Sequence, residues 1–327
     1  MDDKWKQLPE KFLQRVNQIV PNEKTKTILN AFCVKRPVSL RVNTLKTTAD
    51  ELEKDFKQLG ISLERVPWYS DAFILKDDPK IALRDIMASP IYMDGSFYIQ
   101  SLSSMIPPFV MDPQPDENIL DLAAAPGSKT TQMAMMMKNR GEIIANDISV
   151  GRIYKLKANL ASHGVTNTKI MKMPGQFLWR RYPEYFDKTL VDAPCSLEGR
   201  FNCYDPKSYK DWTPKKVEIL SQRERFLLRS AISATRPGGI IVYSTCTLSP
   251  EENEEVIDWI LKKEGDAIDL EPVEIKNLQT DEPILKWKNK TYDPRVKYCL
   301  RIFPSEAMEG FFVAKIRKLR PTLTPKF

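Results

Sequence analysis

Histidine is almost absent: His163 stands alone in 327 residues. Acid–base chemistry must therefore be carried by carboxyls, amines or thiols, and His163, just before Gly164 where a helix is expected to end, reads as a capping residue. Cysteine is scarce too, with five scattered residues, Cys33, Cys195, Cys203, Cys246 and Cys299. None has the C-x-x-C spacing of a zinc site, and an odd, dispersed set does not suggest a disulfide framework. Neither a metal nor a disulfide is expected, and Cys33, Cys203 and Cys299 are assigned to structure. No run of about eighteen apolar residues occurs, which excludes a membrane-spanning helix. The charged start, MDDKWKQLPEKF, lacks the apolar stretch of a signal peptide. The expectation is a monomer in the cytoplasm or another reducing compartment, with no membrane or metal partner.

What is present is ample for a full core: 42% of residues are hydrophobic, and this length suggests two domains. The formal net charge of +7 fits a polyanionic partner. Basic residues concentrate in three places: Lys4 to Lys46; Lys286, Lys288, Lys290, Arg295, Lys297 and Arg301; and Lys315, Arg317, Lys318 and Arg320. At least one of these clusters is expected to contact phosphates. The alternative is solvated surface.

Along the first third, helices are expected from about Trp5 to Val20 and Lys24 to Cys33. SLRVNTL follows as a strand, then a helix opened by Thr48 and closed by Gly60, then ISLERV and AFIL as strands. This is a small α+β module, residues 1–108, whose boundary falls in QSLSSMIPPFVMDPQPDEN. From Asn118 onward short apolar strands alternate with helices: NILDLA, GEIIAND, TKIMKM, KTLVDA and GGIIVYST are the strands. Such alternation predicts an α/β domain over residues 109–327, with a mostly parallel sheet covered on both faces and GFFVAKI as an antiparallel closing strand. Met133, Met136 and Met137 have helical spacing and read as core. Ser249, Pro250 and Glu252 read as a helix start, with Glu251 to Glu255 at the positive end of its dipole, so the acid run needs no other role.

Chemistry concentrates at the strand ends. In DLAAAPGSK the strand ends at Asp121, small residues allow close approach to a ligand, and Lys129 opens the next helix. The segment matches neither G-x-x-x-x-G-K-[ST] nor G-x-G-x-x-G, which disfavours a nucleoside triphosphate. The next strand ends in Asn146-Asp147, where a carboxylate can accept from both ribose hydroxyls. Together these suit a nucleoside without phosphates, such as S-adenosylmethionine. Two further strands deliver Asp192-Ala193-Pro194-Cys195 and Ser244-Thr245-Cys246 to the carboxyl edge. A thiolate beside such a cofactor suggests covalent activation of cytosine, whose carbon 5 is a poor nucleophile until a thiolate adds to carbon 6. Asp192, if buried, would be held protonated and could stabilise the adduct at ring nitrogen 3. Lys129 or a helix terminus could promote thiol ionisation. Either cysteine alone could be an ordinary buried residue; two on neighbouring strand ends beside a cofactor loop argue for chemistry.

At these residues the chain resembles the Sun/nucleolar-protein family of RNA (cytosine-5) methyltransferases. RVNTLK, QSLSSMIPP, DLAAAPGSKTTQMA, NDIS, LVDAPCS, RPGGIIVYSTCTLSPEENE and GFFVAKIRK stand in family order from about Arg36 to Lys318. The resemblance implies a Rossmann-like class I methyltransferase sheet with a small N-terminal RNA-binding module, S-adenosylmethionine as cofactor, and tRNA or rRNA as substrate. It also implies that Cys246 is the nucleophile and that Cys195 helps release the product, a choice chemistry alone leaves open. Ala123, Ala124, Ala125, Pro126, Gly127, Ser128 and Lys129 would hold the methionine part of the cofactor. Asp147 would hold its ribose, Arg152 would brace the pocket, and Asp192 would contact the target base.

Two departures stand out. Where the family often carries an Asp after the third strand, this chain reads KMPGQFL, leaving adenine to Gln176 or to backbone. The family's S-G-x-G loop appears as Ser196-Leu197-Glu198-Gly199, with Leu197 in place of glycine. The competing readings are an RNA-binding assembly factor with a degenerate cofactor pocket and a methyltransferase for adenine amino groups, proteins or small molecules. Cys195, in the place where an adenine amino enzyme carries an aromatic residue, disfavours the latter.

Overall fold

A computed structural model describes residues 4–76 and 82–322; the ends of the two expected domain ranges, residues 1–3 and 323–327, lie outside it. Two helices, α1 (Glu10–Ile19) and α2 (Asn22–Ala31), come first. Their apolar faces do not build a core of their own. Phe12, Val16 and Phe32 belong to the core shared with Phe201, Trp212 and Leu228, and the Phe12 ring lies 4.7 Å from Phe201 and 5.6 Å from Trp212.

The small sheet follows: β1 (Ser39–Val42), α3 (Ala49–Gln58), β2 (Leu63–Arg65), β3 (Ala72–Leu75), α4 (Leu83–Met87), α5 (Pro90–Met93) and β4 (Phe97–Ile99). Its antiparallel strands run in the order β2-β3-β1-β4. Thr48 opens α3 through a reciprocal capping box with Glu51, and Leu52 and Phe56 turn inward onto Leu40, Val42 and Phe97.

After α6 (Leu102–Met111) the alternation begins: β5 (Asn118–Asp121), α7 (Ser128–Met136), β6 (Glu142–Asn146), α8 (Val150–Ser162), β7 (Thr168–Met171) and β8 (Phe186–Asp192). Next come α9 (Pro214–Ala234), β9 (Thr235–Thr245), α10 (Glu254–Glu264), β10 (Ile268–Glu271), a short hairpin of β11 (Lys286–Trp287) and β12 (Lys290–Thr291), β13 (Leu300–Ile302) and β14 (Phe311–Lys318). The large sheet has the order β10-β14-β9-β8-β5-β6-β7, with β13 also on β14. The strands from β9 to β7 are parallel, and β14 closes antiparallel to β9. This is the Rossmann-like arrangement, mostly parallel with an antiparallel closing strand. Strand order reverses between β5 and β8, and the crevice beyond their carboxyl ends is where open α/β sheets take ligands. Met133 and Met137 are fully buried in one face of this sheet. His163 is the C-cap of α8, its Nδ1 2.8 Å from the Asn159 carbonyl, and burial lowers its pKa.

Two expectations are corrected. First, Cys33 and Cys203 form a disulfide; 170 residues separate them in sequence, so no local spacing announced it. Second, α10 begins at Glu254 with Asn253 as its N-cap, so Glu254 and Glu255 lie in its first turn as expected, while Glu251 and Glu252 stand before it. Glu251 pairs with Arg15 and Lys288, Glu252 reaches across to Ser196, and Glu254 forms a fully buried pair with Arg301 at 2.6 Å. Many residues of the two C-terminal basic clusters also form ion pairs within the chain, several of them at the surface, where Lys290 and Arg320 stay more than half exposed. Lys290 pairs with Glu255, Arg295 with Asp293 and Asp269, Lys315 and Arg317 with Glu271, Lys318 with Glu184 and Arg320 with Asp266. Among the described residues no helix is long and apolar enough to cross a membrane.

Candidate active site

A cavity of about 560 Å³ opens at the crevice between β5 and β8. Its cofactor half is built mostly by one stretch of chain. Ala123 to Pro126, Ser128 and Lys129 wall it, with Arg152 alongside and Asp121 at its edge. Gly127 makes the turn possible: its φ is +109°, and a Cβ there would lie 2.8 Å from Leu156 Cδ1. Asp147 stands just behind this wall, with Oδ2 accepting from the Ala125 N–H at 3.2 Å, Oδ1 from the Ser149 N–H at 2.9 Å, and Arg152 at 3.1 Å. The Arg152 guanidinium also donates to the Ala125 carbonyl. Gln176 lies on the turn after β7, outside the cavity wall, and Asn146 holds that turn by bonding Met173 in both directions.

The loop is tied to the small sheet by Arg41 of RVNTLK. Its fully buried guanidinium donates to the Ser128 carbonyl at 2.8 Å, to Thr131 Oγ1 at 2.9 Å and to Gln100 Oε1 at 2.5 Å. Burial lowers its pKa to about 10, and neutral dipoles rather than a carboxylate compensate its charge.

The base half is assembled from distant segments. Cys195 Sγ and Cys246 Sγ are 3.5 Å apart. Cys195 is buried, while Cys246 is half-buried. The Cys246 contact and burial push the Cys195 thiol well up, and either sulfur can be the donor between them. Asp192 is not the buried carboxyl expected: its side chain is 31% exposed and bridged at 2.7 Å by Lys129 Nζ, with Ser244 Oγ donating to its other oxygen at 2.9 Å. Lys129 also donates to Ser104 Oγ at 2.9 Å, so its ammonium serves Asp192 and the first turn of α6. A second cation faces both thiols. Arg200 is within electrostatic reach of Cys246 and Cys195, and its pKa is raised chiefly by Glu309, which it meets at 3.2 Å.

Two buried acids lock the thiol loops to each other. Glu252 accepts the Ser196 N–H at 2.8 Å and Ser196 Oγ at 2.5 Å, and lies 3.2 Å from Thr247 Oγ1. Glu198 accepts from Trp212 Nε1, Thr247 Oγ1, the Leu248 N–H and Ser249 Oγ. The acids thus bind the segment after Cys195 to the segment after Cys246. Gly199 completes the lock, since a Cβ there would lie 2.2 Å from the Gly310 carbonyl oxygen. Leu197, between the two pinned residues, adopts φ +63°, a left-handed conformation that costs a leucine about 1–2 kcal/mol.

All four residues expected to be catalytic, Cys246, Cys195, Asp192 and Lys129, are brought to one cavity. Arg200, Glu309, Ser104 and Tyr98 also line it and were missed. Ser104 and Tyr98 flank or fall within QSLSSM and could have been found there. Glu309, more than a hundred residues from Arg200, has no sequence signal.

A mostly parallel open sheet with an alanine-rich loop at its switch point is suited to a nucleoside cofactor such as S-adenosylmethionine. The cavity fits that cofactor on an independent observation: Asp121 Oδ1 is buried at its edge with no partner, while Oδ2 accepts from Thr130 at 2.7 Å. Burial pushes this carboxyl up to about 7, and an ammonium donor would satisfy the orphaned oxygen.

The chain belongs to the RsmB/F family of methyltransferases. The family model described as 16S rRNA methyltransferase RsmB/F matches residues 108–317, and the N-terminal domain of 16S rRNA methyltransferase RsmF matches residues 8–102. The chain is 39% identical to the tRNA (cytosine(49)-C(5))-methyltransferase of Pyrococcus abyssi over 97% of its length and 99% of that relative's. It is 38% identical to ribosomal RNA small subunit methyltransferase F of Vibrio atlanticus, covering 98% of this chain but only 66% of that protein. Among solved structures, a methyltransferase homologue from Pyrococcus horikoshii superposes with a TM-score of 0.83 at 33% identity, covering 97% of this chain and 98% of the other. NSun6 from Pyrococcus horikoshii with SFG gives 0.78 at 25% identity, over 95% and 98%. S-adenosylmethionine is the cofactor of this family.

Proposed function

We propose that the protein transfers a methyl group to carbon 5 of a cytosine in tRNA or rRNA through a covalent adduct with Cys246, in the cytoplasm. The observation that carries this reading is the 3.5 Å pair of thiols in one cavity with the Asp192–Lys129 bridge. S-adenosylmethionine supplies the methyl group as an electrophile. Cys246, the more exposed sulfur, loses its proton and adds to carbon 6, making carbon 5 nucleophilic. Arg200 offers positive potential to the thiolate. Asp192 and Lys129, already bonded to each other, present one acceptor and one donor to the Watson–Crick edge. After methyl transfer the carbon 5 proton leaves, its electron pair restores the ring double bond, and the carbon 6–sulfur bond breaks to return Cys246. Cys195 assists this release. Cys195, the more buried sulfur, stands beside Cys246 where it can take the carbon 5 proton in this second step once ionised, while the more exposed Cys246 makes the first attack.

The cofactor half would use Ala123 to Lys129 for the methionine part, with Asp121 offering its unpartnered oxygen. Asp147 and Arg152 hold the loop's shape, and Asp147 would turn toward the ribose only by exchanging its present bond to Ala125. Gln176 would need to swing from the turn after β7 to meet adenine. The exposed Lys11, Lys26 and Lys35 of the first basic cluster, and Lys286, Lys288, Lys290 and Lys297 of the second, would offer positive charge to phosphates.

The test is transfer of labelled methyl from S-adenosylmethionine to RNA from cells lacking this activity, followed by nucleoside analysis. Label in 5-methylcytosine that is lost in Cys246→Ser, with folding intact, is expected. Cys195→Ala should accumulate a denaturant-resistant protein–RNA adduct. An active, folded Cys246→Ser protein would overturn the mechanism. A folded wild-type protein that binds no S-adenosylmethionine at millimolar concentration would favour the assembly-factor reading.

A further inference from the structure

We propose that Leu197 is a wedge that enters the RNA stack when the target cytosine leaves it. The proposal rests on the RNA-methyltransferase reading above and assigns a residue to a step that reading requires. A cytosine held in a stack cannot present carbon 6 to a thiol inside a cavity, so the base must be extruded. Extrusion leaves an apolar gap between its neighbours, and proteins that unstack nucleic acid fill such gaps with leucine, isoleucine, methionine or phenylalanine.

Leu197 has the position, exposure and rigidity for this task. It lines the cavity that contains both thiols and is 44% exposed. Among the described residues, it is the one large exposed apolar side chain in that cavity's wall. An apolar side chain presented to water beside a polar ligand site gains nothing for the isolated protein. Its backbone is also unfavourable for a leucine, at φ +63°, a region that glycine occupies freely. Such a conformation persists only when its surroundings over-determine it, and it points to function.

The surroundings are explicit. On one side the Ser196 N–H and Oγ are held by Glu252. On the other, Glu198 is fully buried and bonded to Trp212, Thr247, Leu248 and Ser249. The Leu197 carbonyl accepts the Arg200 N–H at 2.9 Å. With both neighbours pinned inward, the side chain between them cannot retract. The loop therefore carries a rigid apolar finger two residues from Cys195, at the place a flipped base must pass.

The test uses the RNA that the wild-type protein labels, made as two transcripts: one intact, and one with the bases flanking the target cytosine removed so that no stack remains to fill. Single-turnover methyl transfer by Leu197→Ala and Leu197→Gly should be about tenfold slower on the intact RNA, about 1.4 kcal/mol of barrier, and within about twofold of wild type on the abasic one. Leu197→Met should restore the intact-RNA rate. Leu197→Gly relieves the left-handed strain, so its melting temperature should not fall, which separates lost function from lost folding. An unchanged rate for Leu197→Ala on intact RNA, or an equal loss on both RNAs, would overturn the wedge while leaving the methyltransferase reading standing. A folded wild-type protein that labels no RNA at all would instead remove that reading and the wedge with it.

Discussion

On the cofactor side of the cavity, seven consecutive residues from Ala123 to Lys129 do most of the shaping, and their partners, Asp147 and Arg152, sit on the next strand end and helix. On the base side, Cys195 and Arg200 come from the loop after β8, Cys246 from the loop after β9 and Glu309 from the one before β14, and fully buried acids hold the two thiol loops together. The first half is a local turn that a short motif can encode. The second is a tertiary assembly whose geometry depends on polar bonds in a water-free interior, where an unpaired group is costly. The halves should therefore fail differently when their supports are removed.

The largest effect should come from Glu198→Ala. It leaves Trp212 Nε1, the Leu248 N–H and two hydroxyls without their acceptor, a loss of about 3–5 kcal/mol. Urea unfolding should show that loss, and single-turnover methyl transfer should fall further than S-adenosylmethionine binding does. Equal losses in transfer and cofactor binding would mean that the two halves are not independent. Arg41→Ala should act in the opposite sense. Removing the tie between Gln100 and the Ser128 carbonyl should cost about 2 kcal/mol and weaken cofactor binding measured by calorimetry, while the saturated single-turnover rate changes little. A large loss of that saturated rate with unchanged affinity would show that Arg41 serves the base half instead.

Apart from the substitutions, the intact protein should show a pH dependence. Burial pushes Glu252 up to about 8 and Asp121 up to about 7, above the ordinary carboxylate range, so the folded protein holds protons that the unfolded chain releases. Their contribution is fully present below the unfolded values near 4, and is lost as pH rises through the folded values, at about 1.4 kcal/mol for each unit of difference. The thermal midpoint should fall between pH 5 and pH 8.5, and Glu252→Gln should flatten that fall. A midpoint that stays flat over this interval would mean that both acids are ionised throughout.

Much of the fold was legible because it rests on periodicity and punctuation. The alternation after Asn118, the closing strand GFFVAKI and the Thr48 cap all depend on residues a few positions apart. The acid run shows where that reasoning stops. SPEEN carries the local marks of a capped helix, yet Glu252 and Glu254 are drawn to Ser196 and Arg301, because satisfying buried groups across the fold outweighs a surface dipole contact worth under about 1 kcal/mol. Ion pairs such as Lys318 with Glu184 and Lys290 with Glu255 likewise join residues distant in sequence.

The sequence by itself determined the class of the chain, the identity of the cofactor and the residue types that carry the chemistry, because the motifs that encode them are contiguous and sit at strand ends. Only the tertiary structure decided that Cys195 and Cys246 meet, that Asp192 is bridged by Lys129 rather than buried, that Cys33 joins Cys203, and that Leu197 is held outward. Each of these depends on contacts between segments tens to hundreds of residues apart, set by how the sheet orders its strands and by which buried polar groups must find partners.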